Sequence, residues 1–407
     1  MMNIAGVIVE YNPFHYGHQL HLDRTRQLTG CDGVVAVMSG GFTQRGEPAS
    51  FSKWARAEMA LRAGCDVVLE LPSAYAVQPA EWFAYGAVAV LEATGVVNQL
   101  VFGSESGSLE HLQTVAMLME QEPEQLQQSI RDYLNQGWSY PAALSRAATA
   151  SGLLSTEAVA MLQQPNNTLG LQYLRAIHQL NSRITPLTIQ REQSGYHDLQ
   201  PTHEQIASAT SIRHMLQHEP ERVAAYVPPA TWEIMQREIA AGRGSVQMDA
   251  LWLPLLQRIA TSSPEMLAEY YDMNEGIEHR LKRLLPSLPE PSVNQLIDSL
   301  KTKRYTRARL QRLLAHLLLG HRKNSLNEQM LRRGPGYLRV LGFTQRGRIL
   351  LKQMKSTASL PIIMRAADCE HEQMILDIQA TVMQAAGFTV QQMRDLYSDY
   401  YYPPVRV

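Results

Sequence analysis

"IAGVIVEYNPFHYGHQLHL", residues 4–22, runs from an unbroken apolar stretch through a proline and a glycine into a segment with helical spacing. A short apolar run bounded by turn residues reads as a buried strand, here 4–9. Pro13 ends it and biases Asn12 toward an extended backbone. Gly17 allows an approach of the main chain that a Cβ would block. A helix from about Gly17 to Thr29 would then present free N–H groups and a partial positive charge just beyond the strand. Into this turn the chain packs His15, His18 and His21. Three readings are open: donors to a phosphate, ligands of a metal together with Glu10, or ordinary surface residues. The strand-to-helix setting and the glycine beside His18 favour phosphate, with His15 and His18 as the clamp and His21 as a rim contact.

Working outward, the same alternation repeats. "GVVAVM" (33–38), "DVVLEL" (66–71), "QLVFGS" (99–104) and "ITPLTIQRE" (184–192) read as further strands. Helical patterns lie between them, one starting at Ser52 and one closed by Gly95. Continuous apolar strands separated by helices imply an α/β fold, a Rossmann-like doubly wound parallel sheet covered on both faces. In such sheets ligands sit beyond the carboxyl ends of the strands, where the 9–22 turn falls. From 108 to 180 the pattern is helical, with breaks expected at Pro141 and at "QPNNTLG" (164–170). "SATSIRHMLQ" (208–217) opens another helix, and beyond Pro220 the chain becomes mostly helical. We therefore divide it into 1–220 and a mostly α-helical C-terminal domain, 221–407, with the tail "YYPPVRV" expected as loop.

The chain has 407 residues, 45% hydrophobic and 18% charged, a composition typical of soluble globular proteins. No apolar run approaches the roughly 18 residues of a membrane span, and the opening lacks a basic flank for a signal peptide. Cys31, Cys65 and Cys369 form no C-x-x-C pair and read as reduced thiols of a cytoplasmic protein. Net charge is −1, but its distribution is uneven. Between His279 and Ser325 eleven Lys and Arg face only Glu290 and Asp298. Such a segment suits a polyanion, and Tyr305 within it could stack on an unpaired base. Leu310, Leu313, Leu314, Leu317 and Leu318 form the apolar stripe of a helix starting near Thr306, with "KTKR" as a basic lead-in. A charge run can equally be a solvated face.

"HYGH" after the first strand is similar to the H-x-G-H signature of nucleotidylyltransferases. "ASATSIR" (207–213) approximates that family's second signature, with Ser208, Thr210 and Arg213 matching and Ala209 in place of a serine. The same residues could simply cap a helix. A narrower resemblance covers most of the chain. "GVIVEYNPFHYGH", "AVMSGGFTQRGEPASFSKWAR", "FGSESG", "QPNNTLGLQYL", "SGYHD", "SATSIR" and "SLKTKRYTRARLQR" together resemble the bacterial tRNA(Met) cytidine acetate ligase family. That resemblance implies a sheet of the nucleotidylyltransferase type. It also implies activation of acetate by ATP as acetyl-adenylate, then acetylation of N4 of the wobble cytidine, position 34, in elongator tRNA(Met).

It further implies ATP contacts along Ile8, Val9, Glu10, Tyr11, Asn12, Pro13, Phe14, His15, Tyr16, Gly17, His18, Gln19, Leu20 and His21, and at Gly103, Asn166 and Arg191. In plain chemical terms Gly103 lets a base or ribose lie against the backbone, Asn166 both donates and accepts, and Arg191 forks onto phosphate. Each also has a bland reading: a strand-end turn, a helix cap, and an ion pair with Glu192. His15 and His18 are the expected catalytic pair, and Mg²⁺ is expected with the departing pyrophosphate. No protein-held metal and no protein partner are implied. Arg45, Lys53 and Arg56, after the second strand, are expected near the pyrophosphate or the acetate. Lys301, Lys303, Arg304, Arg307, Arg309 and Arg312 are the expected tRNA contacts. Two alternatives stand: another nucleotidylyltransferase, as in cofactor biosynthesis, or a non-enzymatic tRNA-binding protein on a nucleotide fold.

Overall fold

The computed structural model describes residues 2–121, 123–138, 140–152, 154, 156–162, 164–191 and 207–407. Eight strands form one sheet: β1 (Ile4–Val9), β2 (Gly33–Ser39), β3 (Val67–Leu71), β4 (Gln99–Ser104), β5 (Thr185–Gln190), β6 (Leu338–Phe343), β7 (Ile362–Ile363) and β8 (Val405–Arg406). Their order is β5-β4-β1-β2-β3-β6-β7, with β8 on β6. Strands β1 to β5 are mutually parallel. From β1 the chain winds one way to β2 and β3, and the other way to β4 and β5. The switch point therefore lies between β1 and β4, and a crevice opens there at their carboxyl ends.

Alternation along the strands sends side chains to two faces. Ile4, Val35, Val37, Val67 and Leu69 pack on one face, and Val7, Val34, Ala36, Met38 and Val68 on the other. The helices that matter for the site are α1 (Tyr16–Thr29), α2 (Lys53–Arg62), α3 (Ala80–Ala93), α4 (Pro165–Gln179), α5 (Ala209–His218), α6 (Val293–Leu300), α7 (Arg307–Leu319) and α8 (Glu372–Ala386). Helices α3 and α4 cover the first face, and α2 and α5 the second. The break expected at "QPNNTLG" falls at its first residue, where Gln164 is the extended N-cap of α4. Pro165 occupies the first turn of α4, where its missing N–H costs nothing.

The sheet reaches across residue 220. β6 pairs antiparallel with β3, with a register shift between Val68 and Leu69, so the sheet is mixed rather than wholly parallel. The tail is not loop throughout, because Val405 and Arg406 pair with Gly342 and Phe343. Helices α6 and α7 belong to a third cluster, in which the expected leucine stripe of α7 is buried. Phe42, from the loop after β2, and Val77 enter that cluster from the sheet side. A buried charge cluster adds a second tie: Lys53 Nζ donates to Glu70 at 2.7 Å and to Asp399 at 3.0 Å. Among the described residues no helix is long and apolar enough to cross a membrane.

Candidate active site

The turn after β1 is held from several sides. Tyr11 has φ +48°, a left-handed backbone that a bulky residue adopts only when its surroundings impose it. Its ring is buried, with its hydroxyl 3.8 Å from Cys65 Sγ. The Asn12 side-chain oxygen accepts from Ser50 N–H at 2.7 Å. His15 is the N-cap of α1, and its Nδ1 accepts from Gly17 N–H at 3.0 Å. That bond requires a bare Nδ1, so the neutral ring carries its proton on Nε2. The His18 ring stacks on His15 with centroids 3.7 Å apart. Among the described residues His18 Nδ1 and His21 Nε2 are buried without a hydrogen-bond partner.

Burial, and the Arg191 charge after it, push His15 down to about 3 and His21 to about 4. Burial and the neighbouring His15 hold His18 well below the ordinary range. The cluster is therefore neutral and acts through N–H donors rather than imidazolium charge. Cationic charge comes from arginines instead. Among the described residues no three His, Cys, Asp or Glu side chains converge as a metal cage.

The second signature lies against the first. Ser208 caps α5 by accepting from Ser211 N–H at 3.0 Å. Arg213 donates to the Asn12 carbonyl at 3.0 Å and to Thr210 Oγ1 at 3.2 Å. Capping and site-building thus coexist. Glu47 accepts from Arg213 at 3.5 Å and from Gln311 of α7 at 2.9 Å. On the other flank Arg191, just past β5, donates to Asn166 Oδ1 at 3.3 Å. Asn166 donates to Glu105 at 2.7 Å, and the same carboxylate accepts from the N–H groups of Asn166 and Asn167 at the start of α4. A Cβ at Gly103 would stand 3.1 Å from the Arg191 side chain, so this glycine makes room for the arginine.

The three histidines, Asn12, Glu47, Gly103, Asn166, Arg191, Ser208, Thr210 and Arg213 border one cavity of about 1510 Å³. Of residues 8–21, Pro13, Phe14, Tyr16 and Gln19 do not line it. Phe14 is fully buried, and Gln19 is engaged with Asp23 and the Ala63 carbonyl. Arg45 does border it. Lys53 and Arg56 do not reach the pyrophosphate side as expected: Lys53 is consumed by the buried Glu70 and Asp399 carboxylates. Arg56 is fully buried and donates to the carbonyls of Glu10, Ser39, Gly40 and Phe51, bracing the strand ends.

The basic segment meets the same cavity through Arg304, Arg309 and Arg312. Lys301 and Lys303 are exposed, and Arg307 pairs with Asp298 at 2.8 Å. Arg304 pairs with Glu275 at 2.7 Å and Arg309 with Asp272 at 3.1 Å, so the local excess of charge is smaller than the count suggests. Tyr305 is not free to stack on a base. It is buried, its hydroxyl donates to the Asn274 carbonyl and Glu275, and Arg309 lies over its ring. Glu47 and Glu105, which organise the two flanks, were missed as site residues. The only sequence signal for them is that they stand inside "TQRGEP" and "FGSESG". Glu192 and "SGYHD" (194–198) lie outside the described residues.

A family model described as HIGH Nucleotidyl Transferase matches residues 2–398. The tRNA(Met) cytidine acetate ligase of Anoxybacillus flavithermus is 39% identical over 409 residues, spanning 100% of both chains. That of Syntrophomonas wolfei subsp. wolfei is 39% identical over 420 residues, spanning 99% of each. The crystal structure of Thermotoga maritima TmcAL in its apo form I superposes with a TM-score of 0.92 at 35% identity, over 100% of both chains. The form II structure of the same protein, bound with alpha-thio ATP, gives 0.90 at 35% identity over the same coverage.

Proposed function

The chain belongs to the HIGH nucleotidyl transferase family and, within it, to the tRNA(Met) cytidine acetate ligases, and on that premise we propose how its residues divide the work. The protein is an ATP-dependent ligase. ATP activates acetate as acetyl-adenylate with loss of pyrophosphate, and the acetyl group then passes to N4 of cytidine 34 in elongator tRNA(Met). The observation that carries this reading is that His15 and His18 share one cavity with Arg309 and Arg312 of the basic helix. A nucleotide-activating turn and an RNA-facing surface meet there. Neither a cofactor-making nucleotidylyltransferase nor a non-catalytic scaffold needs that combination.

Free acetate is a poor acyl donor, since its carboxylate resists nucleophiles. An acetate oxygen attacks the α-phosphorus in line, and negative charge grows on the remaining α-phosphate oxygens. His15 donates from Nε2, its tautomer fixed by Gly17 N–H, and His18 adds a second donor; the first-turn N–H groups of α1, expected to be free, are instead taken by the Tyr226 carbonyl and by His15. Donors of this kind contribute about 2.7–4 kcal/mol each in comparable oxyanion sites. Ser208, Thr210 and Arg213 hold the departing phosphates, Gly103 and Asn166 receive the adenosine, and Arg191 forks onto phosphate. Bound Mg²⁺ would supply charge neutralisation for the departing pyrophosphate. The cytidine amine is a weak nucleophile, because its lone pair is delocalised into the ring. Positioning by the tRNA therefore supplies much of the rate. Lys301, Lys303, Arg304, Arg309 and Arg312 provide that contact, Arg307 adds less because Asp298 holds it, and the cytoplasm supplies the tRNA. Incubation with labelled acetate, ATP and tRNA tests the assignment. Absence of both label transfer and acetate-dependent pyrophosphate release would sink it.

A further inference from the structure

We propose that Glu10 is the general base of the acetyl-transfer step, taking the proton of the exocyclic cytidine N4 as that nitrogen attacks the acetyl-adenylate. The inference rests on the ligase reading above and concerns its second half. In the step, the N4 lone pair bonds to the acetyl carbonyl carbon. The bond from that carbon to the adenylate oxygen breaks, and AMP leaves with the electron pair. The N4 proton passes to the Glu10 carboxylate and then to water.

Glu10 stands immediately after β1, half-buried, and borders the cavity that also holds His15, Arg309 and Arg312. Its position is fixed at two points. Oε1 accepts from Gln44 N–H at 2.7 Å, and its carbonyl accepts from Arg56 at 2.7 Å. Among the described residues no donor is bonded to its other oxygen. The remaining acids bordering the cavity are committed elsewhere or lie at its edge. Glu47 is bonded through both oxygens to Gln311 and Arg213. Glu275 is bonded through both to Arg304 and Tyr305, and Glu81 is exposed at the rim.

The histidines cannot substitute. Burial depresses all three, so they are weak bases, and His15 Nδ1 is already taken by Gly17. Burial acts on Glu10 in the opposite sense, raising it above the ordinary carboxylate range and strengthening it as a base. The Gln44 N–H, Arg213 of α5 and Arg45 of the loop after β2 oppose the rise, and Glu47 of that loop adds to it. Arg56 of α2 and Tyr173 of α4 are the other titratable groups that feel its charge.

The test separates the two half-reactions in Glu10→Gln and Glu10→Asp. Adenylate formation is read as acetate-dependent ATP–pyrophosphate exchange, and transfer as single-turnover acetylation of tRNA. Glu10→Gln is expected to lower transfer about 10²–10⁴-fold more than it lowers exchange. Wild-type transfer is expected to fall at acid pH as the carboxylate protonates, and that limb should vanish in Glu10→Gln. Glu10→Asp should recover part of the rate. Equal losses in both half-reactions would make Glu10 a nucleotide-site residue and overturn the proposal, as would transfer within threefold of wild type. A wild-type protein without acetate-dependent exchange would overturn the ligase reading itself, and this inference with it.

Discussion

Arg213 donates to the backbone carbonyl of Asn12 at 3.0 Å, joining the two signature segments across 201 residues of chain. The arginine of the second segment thereby braces the turn that carries His15 and His18. Its other nitrogen holds Thr210, so one guanidinium fork serves two elements. Arg213→Ala should lower kcat/KM for ATP in the exchange reaction by roughly ten- to a hundredfold, the scale of about 1.5–3 kcal/mol for hydrogen bonds from a charged group. Arg213→Lys keeps the charge but cannot make both bonds, and should recover only part of that loss. Full recovery by lysine would reduce the role to charge alone.

Lys53 tests whether its segment contributes chemistry or structure. It is 1% exposed between Glu70 and Asp399, so removing its charge leaves Glu70 buried without its cation and Asp399 with only Arg339 at 3.7 Å. Breaking a buried pair from one side costs about 3–5 kcal/mol. Lys53→Met should therefore lower the urea midpoint strongly, and activity measured well below that midpoint should fall far less than in His15 or His18 variants. A variant of unchanged stability but lost exchange would return Lys53 to the phosphate side.

Strands β1 to β4 were legible because parallel strands covered on both faces are continuous apolar runs with turn residues at their ends, whereas β5 is a half-exposed edge strand of alternating residues. The His15–Gly17–His18 turn was legible for the same reason: its chemistry is local to one strand–helix junction. What was hidden depended on distant partners. "LRVLGF" pairs with β3 from some 270 residues away, and no local periodicity announces an antiparallel strand joining a parallel sheet. The Lys53 cation is met by Asp399 near the far end of the chain. The basic segment looked richer in free charge because the count began at His279. Glu269, Asp272 and Glu275, which pair with Arg322, Arg309 and Arg304, lie just before it.

That pairing sorts the basic residues for RNA binding. Lys301 and Lys303 are exposed and have no acidic partner among the described residues, whereas Arg307 is held by Asp298 and Asn294. Each phosphate contact contributes roughly 0.7–0.9 to the slope of log affinity against log salt. Lys301→Ala with Lys303→Ala should reduce the slope for tRNA binding by about 1.5, and Arg307→Ala by less than about 0.5. Equal effects from both variants would mean that Arg307 releases Asp298 when RNA arrives.

Buried histidines make the fold sensitive to acid. His316 Nδ1 and His321 Nδ1 are 2.9 Å apart with both rings buried, so one must donate and the other accept. Burial holds His321 down at about 3, and burial with the His321 neighbour holds His316 well below its ordinary range. An unfolded histidine titrates near 6.5. Between that value and about 3, the unfolded chain binds a proton that the folded site refuses. The stabilisation is fully present above about pH 6.5 and declines as pH falls. Urea midpoints should therefore drop from pH 7 to pH 5. His321→Asn keeps a polar group near the Nδ1 position without titrating. In that variant the slope of unfolding free energy between about pH 4 and 6 should decrease by about 1.4 kcal/mol per pH unit, the value for one proton. An unchanged slope would mean that His321 stays neutral in the unfolded chain as well, or that it is already charged in the fold.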